Sequence, residues 1–156
     1  MSSTPTNSDI ATVERTIAAP ADKIFALIAD PTRHHEIDGS GTVRDAKEPS
    51  QQLVLGSKFG MDMKMGFAYS MENEIIEFEQ DRRIAWQTRP NIGLLRPFIG
   101  GRIWRYELTP VEGGTLVRES WDISQEKVKR SVKSMRGKTI ENMTKTLERI
   151  EQVVTA

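Results

Sequence analysis

Cysteine is absent from the 156 residues, which rules out a disulfide, a thiolate nucleophile and a zinc–thiolate centre. Histidine is scarce: the chain has 2, adjacent at His34 and His35. Side chains at neighbouring positions of a helical turn diverge by about 100°, whereas metal ligands must converge. No metal and no other cofactor are expected. Net charge is missing too, because 22 basic and 22 acidic side chains cancel. No global field therefore recruits nucleic acid or an anionic membrane, and neither is expected as a partner. Apolar runs are a few residues long, well short of the ~20 that cross a bilayer. The start, "MSSTPTNSD", has no basic region followed by an apolar run. The expectation is a soluble, cytoplasmic protein without stable membrane insertion.

What is present is ordinary soluble material, 37% hydrophobic and 28% charged. Its length fits one domain, over 10–156, behind a disordered tail at 1–9. Ile10 to Ala19 alternates, with Val13, Arg15 and Ile17 opposed to Thr12, Glu14 and Thr16, and reads as a strand. Pro20 opens a helix with the apolar stripe Ile24, Phe25, Leu27 and Ile28, which Asp30-Pro31 stops. "PTRHHEID" is a second short helical turn, followed by the loop "DGSG" and a strand at 42–47. Period two then continues through "SKFGMDMKM", "FAYSMENEIIEFEQ", "RRIAWQTR", "RIWRYELTP" and "TLVRESWDIS". The phase slips at Ile75-Ile76, which predicts a β-bulge, and "VEGG" marks a hairpin turn. From Lys127 to Val154 the period becomes helical, about seven turns. Helices segregated to one face of an antiparallel sheet make an α+β architecture, with a curved sheet wrapped around a long C-terminal helix.

That order, with "VERTIAAPADKIFALIADPTRHHEID" (13–38), "IIEFEQDRRIAW" (75–86) and "LVRESWDIS" (116–124), resembles the START-like, or SRPBCC, superfamily and its polyketide cyclase/dehydratase-like branch. The resemblance covers about 10–154 and implies a helix-grip fold of about seven strands. It also implies a cavity between sheet and helix that takes a hydrophobic ligand, or that hosts cyclase chemistry, and a short helix at the cavity's opening.

The residues point the same way. Three of the 7 methionines alternate with charges at Met61, Met63 and Met65, sharing a strand face with Phe59 and Phe67. Met is unbranched and polarisable, so a face rich in it adapts to varied apolar ligands, and Met71, Met135 and Met143 add to the set. Trp86 and Trp121 supply aromatic surface. Glu119 alternates with Val117, Trp121 and Ile123. A carboxylate there is costly unless paired, and burial would raise its pKa. It is a hydrogen-bonding anchor or general base, unless it pairs with Arg105 or Arg118, or the inward face is that of Leu116 and Arg118. Tyr106 and Asn73, each between apolar neighbours, and Arg136, near the helix's apolar stripe, are further ligand contacts. Tyr106 is also a candidate proton donor. His34 and His35 are placed at the cavity mouth or in solvent. In "NIGLLRPFIGG", Leu94, Leu95, Phe98 and Ile99 form a lid, a homodimer contact or a membrane-touching patch. The basic run from Lys127 to Lys138 reads as a solvated helix face. The function expected is non-covalent binding of a lipid-like or polycyclic molecule, with a polyketide aromatase/cyclase activity in the same pocket as the alternative.

Overall fold

In the computed structural model, the segments of period-two alternation form one antiparallel sheet. The structure describes residues 9–39, 43–46, 53–64, 68–90, 100–126 and 129–156, except the side chains at 43–46, 61–64, 68–70, 90 and 131. The strands are β1 (Ile10–Ile17), β2 (Val43–Ala46), β3 (Lys58–Lys64), β4 (Ala68–Glu79), β5 (Arg83–Pro90), β6 (Arg102–Val111) and β7 (Gly114–Asp122). Their order is β1-β7-β6-β5-β4-β3-β2. Six make the body of the sheet. The short β2 joins its edge through Val43 opposite Met63 and Ala46 opposite Met61. The β4–β5 register shifts between Ile75 and Glu77, so the phase slip is a bulge that bends the strand. The β6–β7 hairpin turns at Glu112-Gly113, where Gly113 adopts a left-handed φ of 83° that glycine accepts at little cost.

Helix α1 (Ala21–Ile28) follows Pro20 and buries Ile24, Phe25, Leu27 and Ile28. Phe25 meets Phe78 of β4 edge to face, with ring centroids 5.5 Å apart. A 3₁₀ turn at Pro31–Arg33 leads into α2 (His34–Ile37). The Asp30 side chain caps that turn by accepting from the Thr32 amide at 3.0 Å.

The one helix expected from 127 to 154 is two. Helix α3 (Lys129–Lys133) and helix α4 (Arg136–Val154) are separated by a turn at Ser134-Met135. The Met135 amide there bonds back three residues to the Val132 carbonyl at 2.9 Å. Ser134 in the turn and Gly137 just after it are weak helix formers. Apolar spacing continues across it, and so periodicity does not reveal the break. Space around the Gly137 Cα is open, so this glycine does not serve a close approach to the sheet.

Side-chain alternation gives the sheet an inner face, and the register arranges that face in rows. One row runs Ala11, Trp121, Trp104, Trp86, Ile75 across β1, β7, β6, β5 and β4. The next runs Val13, Glu119, Tyr106, Ile84, Phe78. Helix α4 covers this face with Thr139, Met143, Thr146, Leu147, Ile150 and Val154. Two apolar clusters result. The larger joins α1, α2 and the end of α4 to Trp86, Tyr106 and Val117, and the smaller gathers Val132, Met135, Ile140 and Met143 around Trp121. Val13 and Trp104 touch both.

Helix α2 is tied to α4 at Gly39, whose amide donates to Thr146 Oγ1 at 2.9 Å. A Cβ at Gly39 would overlap the Asn142 carbonyl oxygen of α4, whereas one at Gly137 would meet nothing. Gly39→Ala should therefore lower stability by about 1–3 kcal/mol, the range for overpacking a close contact. Gly137→Ala should raise it by up to about 1 kcal/mol. Urea unfolding of the two variants checks the pair, and equal effects would contradict the α2–α4 contact.

Candidate functional site

Strand β7 places Glu119 on the inner face, 3% exposed, between Val13 of β1 and Tyr106 of β6. The Tyr106 hydroxyl donates to Glu119 Oε2 at 3.0 Å. Neither arginine weighed as its ion-pair partner is there. Arg105 lies on the outer face and bonds Glu77 at 3.0 Å, and Arg118 reaches Glu14 at 3.3 Å. Burial pushes the Glu119 carboxyl up to about 8, against the lowering effect of the Tyr106 hydrogen bond and with a further push from the Asp38 charge. The Tyr106 hydroxyl is pushed well above its ordinary value, first by burial and then by Glu119. At pH 7 the glutamate is therefore mostly the neutral acid.

Two inner-face atoms of β7 are buried without a hydrogen-bond partner among the described residues: Glu119 Oε1 and Trp121 Nε1. Orphaned buried polar atoms cost about 1–3 kcal/mol each, so native structures keep few of them. Arg15 Nε is also unpartnered, but its side chain is 39% exposed and its guanidinium holds Glu151 at 2.8 Å.

Aromatic rings surround this row. Trp86 and Tyr106 centroids lie 5.7 Å apart, and Phe59 stands edge-on to Trp86 at 5.7 Å. His34 is not in solvent. It is 7% exposed, stacks on Trp86 at 5.1 Å, and its Nε2 lies 2.7 Å from the Ile28 carbonyl. Burial lowers its pKa, partly offset by that bond, so the ring is neutral and Nε2–H donates. His35 faces solvent.

The other candidates scatter. Asn73 is buried and its Oδ1 accepts from Thr88 Oγ1 at 2.6 Å. Met143 is buried against Trp121, Met135 is half-buried beside it, and Met71 is half-buried on β4. Arg136 does not reach Glu119. It is half-buried and donates to the Ile10 carbonyl on the β1 edge at 3.2 Å. Met61 and Met63 belong to β3, but their side chains lie outside the described residues. So, entirely, do Met65, Leu94, Leu95, Phe98 and Ile99. The alternation that turns Tyr106 inward also turns Trp104 inward, a position the sequence reading passed over. It also missed Asp38, whose charge acts on Glu119 and Tyr106. Among the described residues no three His, Asp or Glu side chains group as metal ligands.

An open concavity of about 540 Å³ lies elsewhere, lined by Glu77, Phe78, Glu79, Arg83, Arg105 and Glu107. Arg83 bridges Glu77 at 3.4 Å and Glu107 at 3.0 Å, and Arg105 holds Glu77. Both arginines are thus taken by carboxylates of the same surface.

Residues 9–155 match the family described as polyketide cyclase / dehydrase and lipid transport. An uncharacterized protein of Mycobacterium tuberculosis is 36% identical over 108 residues, 68% of this chain and 44% of that protein. The chain spans less than half the length of the curated relatives it matches. Among solved structures, one from Arthrobacter aurescens superposes with a TM-score of 0.72 at 15% identity, covering 95% of this chain and 87% of that one. A Polyketide_cyc-like protein of Corynebacterium glutamicum gives 0.61 at 22% identity, covering 94% and 91%. At these identities the two structures speak for the fold alone.

The buried carboxyl predicts a pH dependence. Below about pH 4.5 it is protonated in both folded and unfolded chains. From there to about pH 8 the unfolded chain releases a proton that the folded protein keeps. Stability then falls with rising pH, by up to about 1.4 kcal/mol per pH unit. Glu119→Gln removes this slope. In urea unfolding from pH 5 to pH 8 the variant should gain steadily on the wild type, whereas parallel profiles would mean the carboxyl is not held neutral.

Proposed function

Because the chain belongs to the polyketide cyclase / dehydrase and lipid transport family, we propose that it binds a hydrophobic small molecule, lipid-like or polycyclic, without covalent chemistry. The ligand lies between the inner face of the sheet and α4. The observation that carries this reading is the cross-strand row Trp121–Trp104–Trp86, which holds all 3 tryptophans of the chain on one face. Apolar area covered there contributes roughly 25 cal/mol per Å². Met135 and Met143, against Trp121, have the flexibility to make room for a ligand at low cost. Glu119 and Tyr106 supply the polar contacts that orient it. Among the described residues no helix is long and apolar enough to cross a membrane, and the reading needs none.

One observation favours a second reading, an aromatase/cyclase. Glu119, with a pKa near 8 and a tyrosine hydroxyl at 3.0 Å, is poised for proton transfer near neutral pH. Aldol closure of a poly-β-keto chain needs a base for the α-proton and a donor for the enolate oxygen, roles that fall to Glu119 and Tyr106.

Native mass spectrometry of gently purified protein, with titration by the uncharged dye N-phenyl-1-naphthylamine, tests the binding reading. A co-purified small molecule, or dye fluorescence that rises to saturation with tryptophan quenching, is expected. Absence of both overturns it. Glu119→Gln separates the readings: a binder keeps most of its affinity, whereas a cyclase loses turnover by about 10²–10⁴ with binding nearly intact.

A further inference from the structure

Resting on the binding reading above, we propose that Glu119 Oε1 and Trp121 Nε1 form a two-donor site for an uncharged acceptor oxygen, a ketone or ester carbonyl carried on a flat apolar skeleton. Both atoms are buried and unpartnered among the described residues. They belong to residues two apart on one strand, so both side chains project from the same face of the sheet.

Their chemistry fixes the partner's chemistry. An indole N–H only donates. Glu119 Oε2 already accepts from Tyr106, which leaves the proton of the neutral acid on Oε1. Two donors ask for an acceptor. An anionic acceptor is disfavoured, because Asp38 acts on Glu119 with like charge, and the arginines of the inner face are committed. Arg15 holds Glu151 at 2.8 Å and Arg102 holds Glu126 at 3.3 Å, while Arg136 bonds the Ile10 carbonyl. A neutral carbonyl satisfies both donors without bringing a second buried charge.

The surroundings fix the skeleton. Trp104 stands opposite Trp121 in the register and Tyr106 opposite Glu119, so the donors lie beside aromatic rings. Val132, Met135, Ile140 and Met143 cover Trp121 from α3, α4 and the turn between them. These side chains occupy the space over the indole, and the ligand displaces the methionines on entry. The helix break at Ser134-Met135 sits over this cluster and gives the covering segment a point to bend.

Matched probes test the donors separately from the pocket. 9-Fluorenone and fluorene share one flat skeleton and differ by a carbonyl in place of a methylene. Their dissociation constants follow from displacement of N-phenyl-1-naphthylamine. The carbonyl is the better hydrated group, so an apolar site without donors binds fluorene more tightly. With both donors engaged, fluorenone binds about tenfold more tightly than fluorene. Trp121→Phe keeps the ring and removes the N–H, and Glu119→Leu removes the acid. Each should erase most of that preference, read as the ratio of the fluorenone and fluorene dissociation constants within the same variant. If wild type binds the two equally, or prefers fluorene, the donor site is wrong and the apolar pocket stands. If the dye binds and neither probe displaces it, the donor site is wrong likewise. If neither the dye nor, by tryptophan quenching, either probe binds, the donor site is wrong, and if no small molecule co-purifies either, the binding reading fails with it. Preference kept in Trp121→Phe and in Glu119→Leu also overturns the proposal.

Discussion

Antiparallel strands whose described side chains alternate, apart from the bulge in β4, produce one apolar inner face, and the C-terminal helix is the main element that covers it. The placement of nearly every other part follows from closing that face. Helix α1 buries Ile24, Phe25, Leu27 and Ile28 in the larger cluster, together with the end of α4. Helix α2 is locked to α4 where glycine alone permits the approach. The bulge in β4 shifts the register with β5, and a bulge bends the strand that carries it.

Closing such a face with hydrocarbon alone would be the cheapest solution, and the protein departs from it at the Asn73–Thr88 pair and, with a carboxyl, at the row of Glu119. Glu119 and Tyr106 form a hydrogen-bonded pair where the larger apolar cluster meets the smaller, with Val13 and Trp104 belonging to both sides. A carboxyl there is tolerated by staying protonated, the usual response of an acid kept from water and given no cation. The outer face shows the opposite arrangement. There Glu14, Arg118, Glu107, Arg83, Glu77 and Arg105 pair with one another in half-exposed positions, where ion pairs stabilise little. A second buried carboxylate, Glu126, shows what full satisfaction looks like. Its two oxygens accept from the Gly100 amide at 2.6 Å and from Arg102 at 3.3 Å. By comparison, Glu119 Oε1 has no hydrogen-bond partner among the described residues.

A binding function and an acid–base function draw on the same geometry, because the features that orient a neutral oxygen also stabilise an enolate. What separates them is whether a proton moves. The Glu119 pKa near 8 keeps both open to the same residue, and the mycobacterial relative of greater length carries chain beyond the stretch it shares with this one.

Sequence alone determined the strands, the bulge at Ile75-Ile76 and that Val117, Glu119, Trp121 and Ile123 share one face, because each follows from a local period of two residues. Three features needed the tertiary structure. Whether Glu119 would meet an arginine depended on register, which puts Tyr106 opposite it, while alternation turns the neighbouring Arg105 and Arg118 to the other face. The burial of His34 depended on a Trp86 ring from a strand fifty residues away, and no local pattern distinguishes a histidine that will be covered from one that will not. The break between α3 and α4 was hidden by apolar residues that keep their spacing through it. Local sequence sets which way a side chain points along its own element. What it meets there is decided by the other strands and helices, through contacts far apart in the chain.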